Sequence, residues 1–575
     1  MSFNRKIITP NLTFILNSFL IPRSAIARDY NMATYTPRFK NTEASQFVLD
    51  EYTCGFAQCI DNNWNFAIYA QNPNISIYQN EYNAGYVQGK VQGNAMIVAT
   101  RNNSWKNFLI GATPQDNLNV DVHPQYLTAA AESLIQNYNY TYDVLNGKQD
   151  DPMYRNITRL VFRMLGIYDG AAGNEPRKNI QLNDLALSAF DASQLKLGYD
   201  NDPLTYMDVI FINMQYDLFD AIGDKIGLVM GYGTAKEAKK AANQSDHCTA
   251  FTKMMPDHNV FWTHNSWCCF WAQSCAVTYV IGDDFVTQNA NCPGQFGSNT
   301  DFGFNGNGIG FNETTHVDLY DKTKLDGIFL AYRSAAAEQF SHSIQEFYEY
   351  CKLDNTGTYL NGYHLVDANT GEIGLLDMSY NRFVLFVCDG KEVKLTDSTG
   401  YVPTHLDYDH HLITPTHVFG VNQPVSWWVG YELESMNLRP MRRNQLWARI
   451  DTVDDIETAK DLITYTEDRE PLSVYGRWDL GYGTTEMARM RPDGSVDAKA
   501  GSAELIRDTL KNLSRVPDIN GTKTSFWMKF GTAHVQQLPF IWSQSPWASM
   551  KQDESVDFVP DALDGRWNRV KMFMK

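Results

Sequence analysis

The sequence predicts a layered α+β protein, and three observations carry that prediction. Residues 31–120 are rich in β-branched and aromatic residues broken by Asn and Gly, the composition of strands and their turns. Residues 124–230 change to the apolar spacing of helices. After Cys248 strand patterns return, mixed with helical ones. There is no strict strand–helix alternation and no fixed-period repeat, which disfavours a wholly parallel sheet.

Taken in order, Trp64 to Tyr69 and Ala95 to Thr100 read as strands. Pro124 to Tyr138, Met153 to Met164 and Asp208 to Ile222 read as helices. Ala235 to Asp246 is polar, locally basic and short of large apolar residues, so it reads as an exposed linker. The Gly/Asn-rich stretch 292–312 predicts a long loop. Leu330 to Cys351 predicts one long helix, Gly362 to Ala368 and Phe383 to Cys388 predict strands, and Ile456 to Thr466 and Ala503 to Leu513 predict helices.

Composition bounds the function. Hydrophobic residues make up 43% and charged residues 20%, enough apolar material for a large core and too little charge for disorder. At roughly 150 residues per domain, a chain of 575 residues suggests about four domains. The net charge of −18 argues against nucleic acid and against a polybasic grip on anionic membranes. It leaves lipid open as a substrate. No run of eighteen apolar residues is present, so no transmembrane segment is expected.

Arg5 and Lys6 precede the mostly apolar stretch Ile7 to Ile21, and Ala25-Ile26-Ala27 offers a small-x-small cleavage site. Residues 1–27 therefore read either as a signal peptide or anchor, or as a first strand. Asn74, Asn139, Asn156, Asn243, Asn312, Asn512 and Asn520 open glycosylation sequons, which favours export, although an Asn-rich chain produces some by chance. Cys54 and Cys59, and Cys268, Cys269 and Cys275, are closely spaced. They are disulfide candidates in a secreted chain, and thiols or metal ligands in a cytosolic one. There is no clean CxxC pair, which disfavours a structural zinc site, and no metal and no cofactor is expected.

The chemistry concentrates at Cys248. Asp246 to Met255 reads as a strand, Pro256-Asp257-His258-Asn259 as a turn, and Val260 to Trp267 as the returning strand. If Met255 faces Val260, Cys248 lies near Trp267. A thiol, His264, the Asn265 amide and an indole then share one end of a hairpin, residue types that an activated nucleophile can use. A packing role for the same residues is the plainer reading of spacing alone.

His247-Cys248-Thr249-Ala250, followed by Thr263-His264-Asn265-Ser266-Trp267, resembles the nucleophile hairpin of the phospholipase B-like family. Further segments match in the same order. Asn83 to Gly89 resembles the family's Ala-Gly-aromatic-x-Glu-Gly segment, and Asn355 to Gly362 its Asn-Ser-Gly-Thr-Tyr-Asn-Asn-Gln. Arg442 to Gln445 resembles a paired-Arg segment, Arg477-Trp478-Asp479-Leu480 the family's Arg-Ser-Asp-Leu, and Leu538 to Trp547 its C-terminal Pro-Pro-Phe-x-Trp-Ser-x-Ser-Pro-Phe. Leu360 and Gly362 depart from the family's Asn and Gln, and Asn265 stands where Thr is usual.

The resemblance implies an N-terminal-nucleophile hydrolase fold, a four-layer αββα sandwich, in place of four domains. It implies cleavage between His247 and Cys248, giving a 28–247 fragment that ends in the linker and a 248–575 fragment that begins with the nucleophile. The two fragments would stay associated. By the same resemblance Cys248 is the nucleophile, and His264, Asn265 and Trp267 line the site. Asn361 donates to the oxyanion, or else is a turn Asn. Arg443 and Arg477 bind a carboxylate or phosphate, or else make ion pairs. The substrate implied is a lipid ester; the same chemistry serves N-acyl amides or peptides, and a non-catalytic lipid-binding glycoprotein is the alternative. The compartment implied is secreted or lysosome-like. If Cys248 stays free, the other eight cysteines can pair.

Overall fold

Two large sheets stacked face to face, with helices outside them, make up the protein in a computed structural model. It describes residues 44–60, 63–112, 124–229, 247–269, 276–298, 301–315, 323–359, 361–378, 382–399, 411–421, 446–465, 493–495, 497–512, 524–531, 540–541 and 562–571. Residues 1–27 and the linker at 235–246 lie outside these.

The chain starts with strands β1 (Ala44–Asp50), β2 (Thr53–Ile60) and β3 (Asn63–Ala70), followed by helices α1 (Ile77–Ala112), α2 (Pro124–Gly147), α3 (Pro152–Ala172) and α4 (Tyr206–Val229). Then come β4 (His247–Met254), β5 (Val260–Cys269), β6 (Ala276–Ile281), β7 (Val286–Asn291), β8 (Phe302–Asn305) and β9 (Ile309–Thr315). Helices α5 (Leu330–Phe340) and α6 (Ile344–Lys352) lead to β10 (Asn361–Asp367), β11 (Ile373–Met378), β12 (Phe383–Cys388), β13 (Val393–Asp397), β14 (His411–Thr414) and β15 (His417–Val421). Last are α7 (Ile456–Ile463), β16 (Asp493–Ser495), β17 (Asp497–Ser502), α8 (Ala503–Lys511), β18 (Thr524–Gly531), β19 (Phe540–Ile541) and β20 (Ala562–Lys571).

One sheet runs β1-β2-β3-β6-β7-β8-β9-β10-β11-β12-β13, and the other runs β14-β15-β4-β5-β17-β18-β20-β19, with β16 paired to β5. The β3–β6 pair is parallel. Helix α1 packs on β1 to β3, α5 on β7 to β9 and α6 on β10 to β12. Helix α7 packs on β4, β5 and β17, while β4 and β5 face β9 across the interior. The order is helices, sheet, sheet, helix, the layered α+β sandwich expected. Among the described residues no helix is long and apolar enough to cross a membrane.

Helices α1 and α3 touch backbone to backbone because of their glycines. A methyl group at Gly85 would collide with the Arg163 carbonyl, and one at Gly166 with the Tyr82 carbonyl. The buried Glu81 carboxylate sits between Arg159 and Arg163 in the same crossing.

Four expectations are corrected. Ala95 to Thr100 is not a strand but part of α1. There Ile97 and Ala99 are buried, and the Thr100 hydroxyl donates to the Met96 carbonyl one turn back, so packing overrides β propensity. Residues 292–312 contain strand β8 and the start of β9, because the Asn305 side chain accepts from the N–H groups of Asn307 and Ile309 and closes a tight turn. The helix expected over 330–351 is two, since Ser343 caps α6 by accepting from the Glu346 N–H at 3.1 Å. The eight remaining cysteines do not all pair. Cys54, Cys351 and Cys388 are free thiols on β2, α6 and β12, and burial pushes the last two up to about 12. Of the sequons, Asn74 and Asn139 are exposed, whereas Asn312 is fully buried and donates to the Thr263 carbonyl, leaving no room for a glycan.

Candidate active site

Strands β4 and β5 pair with Met254 opposite Val260 and Cys248 opposite Ser266. Sequence reasoning placed Cys248 one residue further along, opposite Trp267, which instead pairs with His247. The turn explains the difference. Pro256-Asp257-His258 is a three-residue loop with His258 left-handed at φ 62°. Met255 N–H donates to the Asn259 carbonyl at 2.7 Å and His258 N–H to the Met255 carbonyl at 2.9 Å. A single-residue register shift changes which side chains share a face. Cys248, His264 and Ser266 stand on one face of the hairpin, and Asn265 on the other.

The two faces do different work. Trp262, on the thiol face, stacks on Phe302 at 5.3 Å and holds the sheets together. Phe251 and Phe261, on the opposite face, join the apolar cluster of Ala459, Leu462 and Ile463 under α7. The Asn265 amide donates to the Asp497 main-chain carbonyl and ties β5 to β17.

Four groups converge on the thiol face. Cys248 Sγ, a ring nitrogen of His264 and carboxylate oxygens of Asp301 and Glu313 all lie within 4.8 Å of one another. Cys248, His264 and Glu313 are buried, and Asp301 is partly so. Asp301 immediately precedes Phe302, which pairs with Asn312, so Asp301 and Glu313 are neighbours across β8 and β9. Sulfur, nitrogen and two oxygens form a set that can move protons or hold a cation.

A fully buried network supports this group. Lys499 on β17 pairs with Asp497 at 2.8 Å, both side chains having 0% exposure. The Lys499 ammonium also donates to Ser266 Oγ at 2.8 Å. Ser266 N–H donates to Asp497 Oδ1 at 3.0 Å, and Ser266 Oγ lies 3.5 Å from His264 Nδ1. The strand pairing that places Lys499 opposite His264 puts these residues on one face.

Burial dominates the electrostatics. It holds the His264 imidazole well below its ordinary range, helped by the Lys499 ammonium and opposed by a hydrogen bond to the Glu313 main-chain carbonyl. The ring is therefore neutral at physiological pH. Burial and then the adjacent Glu313 raise the Asp301 carboxyl well above the usual carboxylate range, against Lys499. Burial raises Asp497 as well, again against Lys499, and pushes Glu338 up to about 8.

Asn361 opens β10 opposite Thr315, two residues, or about 7 Å, along β9 from Glu313. It is fully buried, and neither polar atom of its amide has a hydrogen-bond partner among the described residues. The side chains of His247 and Trp267, and all of Arg443 and Arg477, lie outside the described residues.

A Phospholipase B family model matches residues 57–389, more than half of the chain. The chain belongs to this family. It is 22% identical to a phospholipase B of Crotalus adamanteus over 434 residues, 70% of this chain and 72% of that protein. It is 20% identical to phospholipase B-like protein C of Dictyostelium discoideum over 549 residues, 88% and 84% of the two chains. It is 22% identical to phospholipase-B 81 of Drysdalia coronoides over 498 residues, 80% and 83%.

The segment shared with the phospholipase B family model contains Cys248, His264, Asp301, Glu313 and Asn361, whereas Asp497 and Lys499 lie beyond it. Beside the cluster is a cleft lined in part by Tyr216, Phe296, Asp301, Glu338, Tyr359 and Tyr363. Sequence reasoning missed Asp301, Glu313, Ser266, Asp497 and Lys499. Asp301 and the first residues of β9 fell in a stretch taken for a loop, and Glu313 follows directly. Asp497-Ala498-Lys499-Ala500 carried a usable signal, charges alternating with small residues in one short strand, but that pattern reads first as a solvated face.

Proposed function

We propose that this chain is a phospholipase B-like hydrolase that deacylates lipid esters with Cys248 as nucleophile, after cleavage between His247 and Cys248. The observation carrying this reading is the placement of the Cys248 thiol at the start of β4, buried beside a neutral imidazole and two carboxyl groups. Cleavage would proceed by attack of the thiol on the His247 carbonyl. That attack would expel the Cys248 α-amino group and leave the His247 acyl group on sulfur as a thioester, and water would then release the His247 carboxylate and restore the thiol. That amine, with a pKa near 8, takes the thiol proton. The thiolate attacks the ester carbonyl, the Asn361 amide donates to the oxyanion, and the alcohol leaves with the proton. Water then attacks the thioester, the acid leaves and the thiol is restored. His264 borders the reacting atoms and is positioned through Ser266, Lys499 and Asp497. Asn265 acts from behind, through β17. Trp267, Arg443 and Arg477 keep their proposed roles as wall and anion-binding residues, acting in a secreted or lysosome-like compartment. Strand β3 precedes the cut and pairs with β6 beyond it, which supports fragments that stay associated.

The test is a denaturing gel with a hydrolysis assay on phospholipids and N-acyl amides. Processing should give fragments of roughly 28 and 37 kDa from the 65.4 kDa chain. Cys248→Ala should abolish both cleavage and turnover. Full hydrolysis by Cys248→Ala would refute the nucleophile, and a single band in active material would refute the cleavage. Faster release from N-acyl amides than from esters would reassign the substrate to the amide class.

A further inference from the structure

We propose that the cluster at the head of the β4–β5 hairpin is also a transition-metal site. It would take Zn²⁺ through Cys248 Sγ, a His264 ring nitrogen, and the Asp301 and Glu313 carboxylates. The ion would close the thiol reversibly. This last consequence rests on Cys248 being the nucleophile; the binding itself does not.

Three observations carry the inference. The first is donor chemistry. One sulfur, one imidazole nitrogen and two carboxylate oxygens are ligands zinc commonly takes, in the number a tetrahedral site requires. The second is distance. Zinc–ligand bonds of about 2.0–2.3 Å put tetrahedral ligand atoms roughly 3.3–3.6 Å apart. The four atoms already lie within 4.8 Å of one another, so rotamer adjustments of about 1 Å complete the shell. The third is support. His264 Nδ1 lies 3.5 Å from Ser266 Oγ while its buried Nε2 has no hydrogen-bond partner among the described residues, and Ser266 is fixed by Lys499 and Asp497. Outer partners of this kind orient metal-binding imidazoles.

On binding, the thiol proton and any proton on the two carboxyl groups pass to solvent. The sulfur lone pair needed for attack on a carbonyl becomes a metal–ligand pair, so the bound form does not turn over.

The full chain as purified, stripped with a chelator, is titrated with Co²⁺ alone and then with Zn²⁺. The expected result is one ion per chain, a near-ultraviolet thiolate-to-cobalt band, visible bands of a tetrahedral ion, and displacement of both by Zn²⁺. Cys248→Ser should lose the thiolate band. Asp301→Asn and Glu313→Gln should each weaken Co²⁺ binding at least tenfold while leaving the circular dichroism spectrum unchanged. If the Cys248 variant fails to fold, X-ray absorption of the zinc-loaded wild-type chain decides: one sulfur and three nitrogen or oxygen ligands are expected. A thiolate band that persists in Cys248→Ser, a shell with no sulfur or with two, or carboxamide variants that bind like wild type would each overturn the site. Hydrolysis that survives in Cys248→Ala removes the nucleophile reading without touching the metal site. Loss of metal binding with hydrolysis intact does the reverse.

Discussion

Replacing Asn361 by Leu separates stability from catalysis in a way few core substitutions do. Asn361 is fully buried on β10, and both polar atoms of its amide lack a partner among the described residues. Each buried, unsatisfied polar group costs about 1–3 kcal/mol. Leu has the same number of side-chain heavy atoms and suits a strand buried along its whole length, but it is bulkier. Asn361→Leu should therefore hold or raise unfolding stability, by up to about 1–3 kcal/mol in urea titrations, with the larger side chain offsetting part of the gain. If the amide is the oxyanion donor, the same change should lower kcat by roughly 10²–10³, or about 2.7–4 kcal/mol of transition-state stabilisation. The assay pairs urea midpoints with kcat on a phospholipid dispersion. A variant that keeps its kcat would refute the oxyanion role, and one that loses more than about 1 kcal/mol would refute the stability reasoning.

Other tests follow from the same geometry. Lys499→Met strands the buried Asp497 carboxylate and should cost about 3–5 kcal/mol at pH 7. Burial already raises Asp497 and losing Lys499 raises it further, so the deficit should be smallest at acid pH, where the carboxyl is protonated with or without Lys499, and should grow as pH rises through its raised range, as read by urea midpoints across pH. Gly85→Ala drives a methyl group into the Arg163 carbonyl, which no rotamer change relieves; a loss of at least about 1–3 kcal/mol is expected, with the thermal midpoint as the readout. The His264 imidazole should show no titration between pH 5 and 8 in histidine-labelled NMR spectra, since burial and Lys499 hold it low; a resonance midpoint near 6.5 that His264→Gln removes would contradict this.

What the sequence discloses follows the range of the interaction. The helices at 124–147, 152–172 and 206–229 were legible because their apolar spacing is local. The β4–β5 hairpin was legible because turn residues and both strands lie in one short segment, although its register hung on the αL conformation of one residue, His258. Ala95 to Thr100 misled because its β-branched residues are placed by contacts with distant elements. The site divides the same way. Cys248 and His264 share a hairpin and were found together, whereas Lys499 reaches His264 from β17 and Asp301 and Glu313 reach the thiol from the other sheet. Only the stacking of two sheets makes those two carboxyl groups neighbours of the thiol.

That placement bears on which group can act as the base. A neutral His264 looks like the obvious acceptor for the thiol proton, but its conjugate acid is held too strong by burial and Lys499 to keep that proton near neutral pH. Lys499 is committed to Asp497 and Ser266. Asp301 and Glu338 bind protons more readily than ordinary carboxyls, yet each is stabilised in its neutral form and is a poor partner for a new buried charge. In the proposed cleaved form, an α-amino group at Cys248, whose ordinary pKa is near 8, is the acceptor that remains. Under the proposed mechanism, the more completely the sandwich buries the imidazole, the more proton transfer from the thiol depends on cutting the chain before Cys248.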